Sequence, residues 1–301
     1  MAIGDIITAA RYNNLQSRVA TVMGTGSGDD GYGQTLNSAQ VAASATVNAT
    51  DMSTLYTDIA NGRVHQTGVT PTEIAIISQS DVVLDSDTIN KKGVAQFENL
   101  TTTLENEKFQ IHSSQGTAEA AISAQYTSNW NGTLAHLIDV TFTDADHRRQ
   151  FFNAGGEIHM ALSLSSGSGS KGTSWSSLFS GAGTIKFRRT DTTTTGSGTT
   201  TSIGNVDMTG SHQTIFSKAV GGGGVYAEND FNITAKDNSS TVLEFIVTLN
   251  DDDSGDQTGT GGPVDENVGG TTTLTVSSFR PSNASAVTFA DPSFSTTDNF
   301  N

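Results

Sequence analysis

From Tyr12 the apolar residues return at steps of three and four. Tyr12, Leu15, Val19 and Val22 share one face of an α-helix, with Thr8 placed to cap its start and Gly24 to stop it. The stripe recurs at Met52, Leu55 and Ile59, with Thr50 as a cap and Gly62 as a stop, and again, more loosely, at Phe97, Leu100 and Leu104. Ala9, Leu15 and Ala20 of the first copy are matched by Ala49, Leu55 and Ala60 of the second. Isolated helices shorter than about 12–15 residues are marginal in water, so each stripe needs a partner. Two outcomes satisfy that need. Either the stripes bury one another in a self-contained bundle, or they form a docking and oligomerisation surface on Tyr12, Leu15, Val19, Met52, Leu55, Ile59, Phe97, Leu100 and Leu104.

Beyond residue 113 the period shortens to two. Thr133–Phe142 and Gly156–Ser166 alternate apolar and polar residues, and Gly183–Thr190, His212–Val220, Val225–Asp237, Thr241–Asp251 and Gly270–Arg280 continue the series. Asp237–Ser240 reads as a hairpin turn. "SWSSLF" (Ser174–Phe179) predicts one short helical turn whose Trp175, Leu178 and Phe179 plug one end of the core. The expected class is α+β: a helical repeat region over 1–113, a mainly antiparallel β-sandwich over 114–290, and a tail over 291–301 that is disordered or lies on another subunit. "SSGSGSKG", "TDTTTTGSGTTTS", "AVGGGGV" and "SGDQTGTGGP" read as flexible tips, or as loops ordered by a neighbouring subunit.

Composition narrows the function. Across 301 residues, 15 Lys and Arg face 31 Asp and Glu, a formal charge of −16. Such a surface repels nucleic-acid backbones and anionic membranes. No stretch approaches the roughly 18–20 apolar residues of a membrane span, so neither nucleic-acid binding nor membrane insertion is expected. There is no cysteine, hence no disulfide, thiolate metal site or thiol nucleophile. "MAIGDIITAARYNNL" lacks the basic and apolar regions of a signal peptide, so synthesis in the cytosol is expected.

Candidate chemistry is sparse. The six histidines show no H-x-x-x-H or zincin spacing, although His136 and His159, both in strand patterns, could meet across strands. "NDDDSGDQ" (Asn250–Gln257) offers Asp251, Asp253 and Asp256 as oxygen ligands for a hard cation, but not in the EF-hand order, and the preferred reading is a solvated hairpin tip that blunts the sheet edge. The glycine-rich stretches lack the Lys-Ser/Thr of a phosphate loop, and no nucleophile elbow is present. No enzyme and no cofactor are expected. In "DADHRRQFFNAGGEI", Arg148 and Arg149 stand out on an acidic chain. Either they pair locally while Phe151 and Phe152 pack under the sandwich, or they bridge to acidic surface on another subunit.

"FFNAGGEI", "SGSGSKGTSWSSLFSGAGTIKF", "TTTTGSGTTTSIG" and "LNDDDSGDQ…GTTTLTVSSFRP", together with the N-terminal "GDIITAARYNNLQSRV" and "ATDMSTLYTDIANGRVHQTG", resemble a recurrent virion structural domain of tailed phages, most of all those of myophages infecting marine cyanobacteria. The resemblance covers about residues 4–280 and lies in phrases, not in a catalytic signature. It implies a structural component of tail, neck, baseplate or fibre, assembled in the host cytoplasm and resident in the virion. Other virion proteins and further copies of the chain would be its partners, with the N-terminal helices as anchor. The competing expectation is an adhesin on the virion surface, whose sandwich loops bind host-surface glycans with Trp130 or Tyr226 as stacking platforms.

Overall fold

The computed structural model describes residues 7–119, 121–255, 257–259, 262–282 and 287–296. The chain is α+β and divides into two compact units. A helical unit comprises Met1–Thr117, Asp146–Gly156 and Arg280–Ala290, and a β unit comprises Ala118–Ala145, Glu157–Phe279 and Asp291–Asn301. The simple division at residue 113 is corrected by this finding, because two later segments return to complete the helical core: Ala154 and Val287 are fully buried in it.

Three helices build the helical unit: α1 (Ala9–Met23), α2 (Ala49–Thr67) and α3 (Val94–Asn106). All three pack on one another. Thr8 caps α1 as expected, its side chain accepting from Arg11 N, and Gly24 ends it. For α2 the cap is Asn48, not Thr50. Its amide oxygen accepts from Thr50 and Asp51 N, and the Asp51 carboxylate bonds back to Asn48 N, closing a capping box. Gly62 is no stop. It lies inside α2, where a Cβ would stand 2.6 Å from Leu104 Cδ1 and 2.8 Å from Met23 Sδ, so its missing side chain lets the helices approach. The stop is Gly68, whose φ of 78° is the left-handed cap conformation that glycine tolerates best. A fourth helix, α4 (Ala145–Asn153), brings Phe151 and Phe152 into the helical unit rather than under the sandwich, with the Phe151 ring 6.3 Å from that of Phe289.

In the β unit the strands run β1 (Gly116–Ala118), β2 (Ile122–Tyr126), β3 (Gly132–Thr141), β4 (Glu157–Ser165), β5 (Ile185–Phe187), β6 (Thr192–Thr194), β7 (Thr199–Thr200), β8 (Gln213–Ala219), β9 (Asp230–Ser239), β10 (Val242–Asp251), β11 (Gln257–Gly259), β12 (Gly262–Val264), β13 (Thr271–Pro281) and β14 (Ser293–Thr296). One six-stranded sheet has the order β1-β13-β4-β5-β6, with β2 also paired to β13; a second has the order β14-β3-β10-β9-β8-β7; and β11 pairs with β12 in a separate two-stranded sheet. Alternation decides the faces. Leu134, Ile138 and Val140 of β3 point inward opposite Leu249, Phe245 and Leu243 of β10, in antiparallel register. The sheets face each other across the Phe187–Phe245 ring pair, centroids 5.2 Å apart. The hairpin expected at Asp237–Ser240 joins β9 to β10, with its turn at Ser240 and Thr241.

Two low-complexity stretches are built structure. The glycine- and serine-rich run before Trp175 enters a helix of 14 residues, α5 (Gly169–Ala182), in place of a single turn. The threonine tract forms β6 and β7, one in each sheet, and crosses between them; the Thr192 hydroxyl donates to Ile203 O at 3.0 Å and leaves no buried hydroxyl unpaired there. The start of the expected loose tail is β14, paired antiparallel to β3 within the same chain.

Candidate functional site

Lys171, Trp175, Leu178 and Ala182 recur along α5 at steps of four, three and four, so one face of the helix is apolar except for a lysine. That face is buried, and Lys171 goes with it: its side chain is 3% exposed. A buried ammonium without a counter-charge is very costly. The end of β10, the turn after it and the residues that follow β12 supply the counter-charge. Lys171 Nζ lies 2.8 Å from Asp251 Oδ2, 3.2 Å from Asp253 Oδ2 and 2.8 Å from Asp265 Oδ1, and donates to Glu266 O at 2.5 Å. The side chains of Asp251 and Asp253 are fully buried, while Asp265 reaches solvent.

The surrounding groups fix each carboxylate. Trp175 Nε1 donates to Asp251 Oδ1 at 3.4 Å, and the Trp130 ring sits edge-on to Trp175 with centroids 4.9 Å apart. Asn229, itself buried, donates from Nδ2 to Asp253 Oδ2 at 2.7 Å, and its Oδ1 accepts from the backbone N–H of Asp252 and Asp253. Gly255 N donates to Asp253 Oδ1 at 2.7 Å. Asp251 Oδ2 has no hydrogen bond, although Nζ is so close.

These surroundings split the three carboxyls. Burial pushes Asp251 up to about 7, Lys171 opposing and Asp253 reinforcing the rise. Burial also opposes the charge of Asp253, but the Asn229 amide, Asp251 and the Gly255 N–H outweigh it and hold that carboxyl low. Lys171 and Asn131 hold Asp265 low. Burial works against the lysine charge too, yet Asp251 and Asp265 keep the ammonium firmer than usual. Asp251 is therefore the first of the three carboxyls to take up a proton as pH falls, beside one ammonium and two carboxylates.

The ligand atoms of Asp251, Asp253 and Asp265 come within 4.8 Å of one another, a span that a metal ion can bridge. Lys171 Nζ already stands among them as the cation, and a hard divalent ion there would meet its charge at close range. The acidic turn is not a solvated tip: Asp251 and Asp253 are buried and only Asp252 of the three is exposed. Asp256, the third ligand expected from sequence, lies outside the described residues.

The other expected site residues separate. Tyr12, Leu15, Val19, Met52, Leu55, Ile59, Phe97, Leu100 and Leu104 all lie in the core of the helical unit. Their stripes cover one another, so the docking role drawn from them is corrected: no apolar face of those positions is left for a partner. Arg148 is buried. Arg149 donates to Thr25 O at 2.8 Å and to Asp30 O, and pairs with Asp146 at 3.0 Å; the bridge to another subunit is replaced by bonds inside the helical unit. Trp130 is 5% exposed against Trp175 and offers no open platform, and Tyr226 is half-buried with its hydroxyl 3.4 Å from Glu266 Oε1. His136 and His159 lie in different sheets: His136 occupies an inward position opposite Val247, and His159 bonds Glu157 Oε2 at 2.6 Å.

Lys171 is inconspicuous in the sequence because it sits in a Gly/Ser run. Its signal was the spacing to Trp175, Leu178 and Ala182. In comparisons with protein-family models, curated proteins and solved structures, nothing matches this chain.

Proposed function

We propose that the chain is a structural component of a tailed-phage particle, in tail, neck, baseplate or fibre, working with other virion proteins and further copies of itself and carrying no catalytic role. The observation that carries this reading is the phrase-level resemblance of "FFNAGGEI", "SGSGSKGTSWSSLFSGAGTIKF" and "LNDDDSGDQ" to virion structural domains. Two features support it. Low-complexity tracts rich in Gly, Ser and Thr are drawn into helix and strand. A charge of −16 also suits a part that must stay dispersed before assembly.

Anchoring takes a different form from that expected of the helical stripes. Val69, Ile76, Val82 and Ile89 are exposed, Ile89 at 87%, and all four lie in the segment joining α2 to α3. Contact with neighbouring virion proteins runs through this segment in the proposed reading. Proteomic mass spectrometry of purified particles of the phage encoding the chain tests it: the protein should co-purify in fixed stoichiometry. Ile89→Asp should then lower its incorporation severalfold while leaving its circular dichroism unchanged. A chain found only in the soluble lysate, never in particles, overturns the reading.

A further inference from the structure

We propose that Lys171 and Asp251 condense within the folded chain to an amide joining Nζ to Cγ, with Asp253 as proton carrier. The inference stands on the cluster's geometry and is independent of the virion reading.

Four observations carry it. The amine of Lys171 and the carboxyl of Asp251 are both buried, with Nζ 2.8 Å from Oδ2, and two groups held side by side in this way react as if at very high concentration. Two of the bonds around Nζ are directed elsewhere, to Asp265 Oδ1 and Glu266 O, which leaves one tetrahedral position, the lone pair once the amine is neutral. Asp251 Oδ2 accepts no well-directed hydrogen bond, so burial outweighs the pull of Lys171 toward the carboxylate. Asp251 Oδ1 accepts from the Trp175 indole N–H, a donor placed where negative charge develops when the carbonyl is attacked.

The step balances without a cofactor. Asp253, ionised and 3.2 Å from Nζ, takes one proton from the ammonium. The amine lone pair attacks Cγ of the protonated Asp251, and the carbonyl π pair moves onto Oδ1 beside Trp175. Asp253 gives its proton to the departing hydroxyl and accepts the second proton from nitrogen. The C–Oδ2 bond breaks, water leaves and the amide remains. Asp253 keeps one proton and releases it to solvent. Asp265, 41% exposed, marks the side on which the cluster meets water, while the buried Trp175, backed by Trp130, borders Asp251 and shields the product from hydrolysis there. The bond ties α5 to the end of β10 and closes a long loop of chain, which restricts the unfolded state as other covalent cross-links do.

Intact-mass spectrometry of the purified full-length chain, denatured just before measurement, is the direct test. The expected mass is one water below that of the sequence, and proteolysis should yield a branched peptide joining Lys171 to Asp251. Lys171→Met and Asp251→Ala should each restore the full mass. Asp253→Asn, folded by circular dichroism, should form the bond at least tenfold more slowly. A folded wild-type chain that keeps its full mass after prolonged incubation at neutral pH overturns the proposal, as does a lost water mapped to other residues. Bond formation at the wild-type rate in Asp253→Asn overturns the role given to Asp253.

Discussion

His65 is buried on α2, its Nε2–H donating to Ala154 O at 3.0 Å and its Nδ1 without a partner. Burial lowers its pKa to about 4, the Ala154 carbonyl opposing the shift only in part. In the unfolded chain the ring takes up a proton near its ordinary value of 6.5. Between those two values the unfolded state binds more protons than the folded one, so stability is full above pH 6.5 and is lost as pH falls toward 4. The loss amounts to about 3 kcal/mol at most. Urea denaturation at a series of pH values should show this slope, and His65→Gln, which can still donate to the Ala154 carbonyl, should flatten it. Lys171 lies at the same scale but follows another rule. Its ammonium is retained in the interior only because carboxylates of residues up to 94 positions away converge on it.

At the scale of elements, the helical unit depends on close approach more than on propensity. Glycine inside a helix is ordinarily unfavourable relative to alanine by roughly 0.5–1 kcal/mol, so Gly62→Ala would help α2 if the helix stood alone. Here the added methyl meets Leu104 and Met23, and the expected outcome is a net loss of about 1–3 kcal/mol in unfolding free energy. A gain in melting temperature would show that the helices separate at no cost. Leu55, fully buried in the same core, should lose about 2–5 kcal/mol on truncation to alanine, read from the same denaturation curves. In the β unit the comparable device is the crossing of the threonine tract between sheets. It works because hydroxyls such as that of Thr192 satisfy the carbonyls they are buried with.

At the scale of the whole molecule, neither unit is a continuous stretch of chain. The helical unit needs residues 146–156 and 280–290, which contribute Ala154 and Val287 to its core and the carbonyl that His65 bonds. A fragment ending at residue 113 therefore loses part of its own interior. It should show weaker near-ultraviolet dichroism, bind a hydrophobic dye and denature at lower urea than the full chain. Full-chain stability in that fragment would mean that the later segments contribute nothing to the core.

Periodicity by itself determined α1, α2 and α3 and the long strands β3, β4, β10 and β13, and which side of each is buried. The steps of three and four at Tyr12, Leu15 and Val19, and the alternation in Leu134, Ile138 and Val140, are local properties of the chain, and the burial follows them. What covers each buried face is not local. The stripes on α1, α2 and α3 are equally consistent with a bundle and with a docking surface, because a helix carries no record of what lies against it; only the packed structure shows that they bury one another. Gly62 reads as a stop from its conformational freedom and is a packing residue because of its neighbours. The Lys171 cluster was decided entirely by tertiary structure. A lysine in a Gly/Ser run and three aspartates far along the chain become one site only when α5 and the end of β10 are brought together, since charge acts through space and the sequence orders residues along a line.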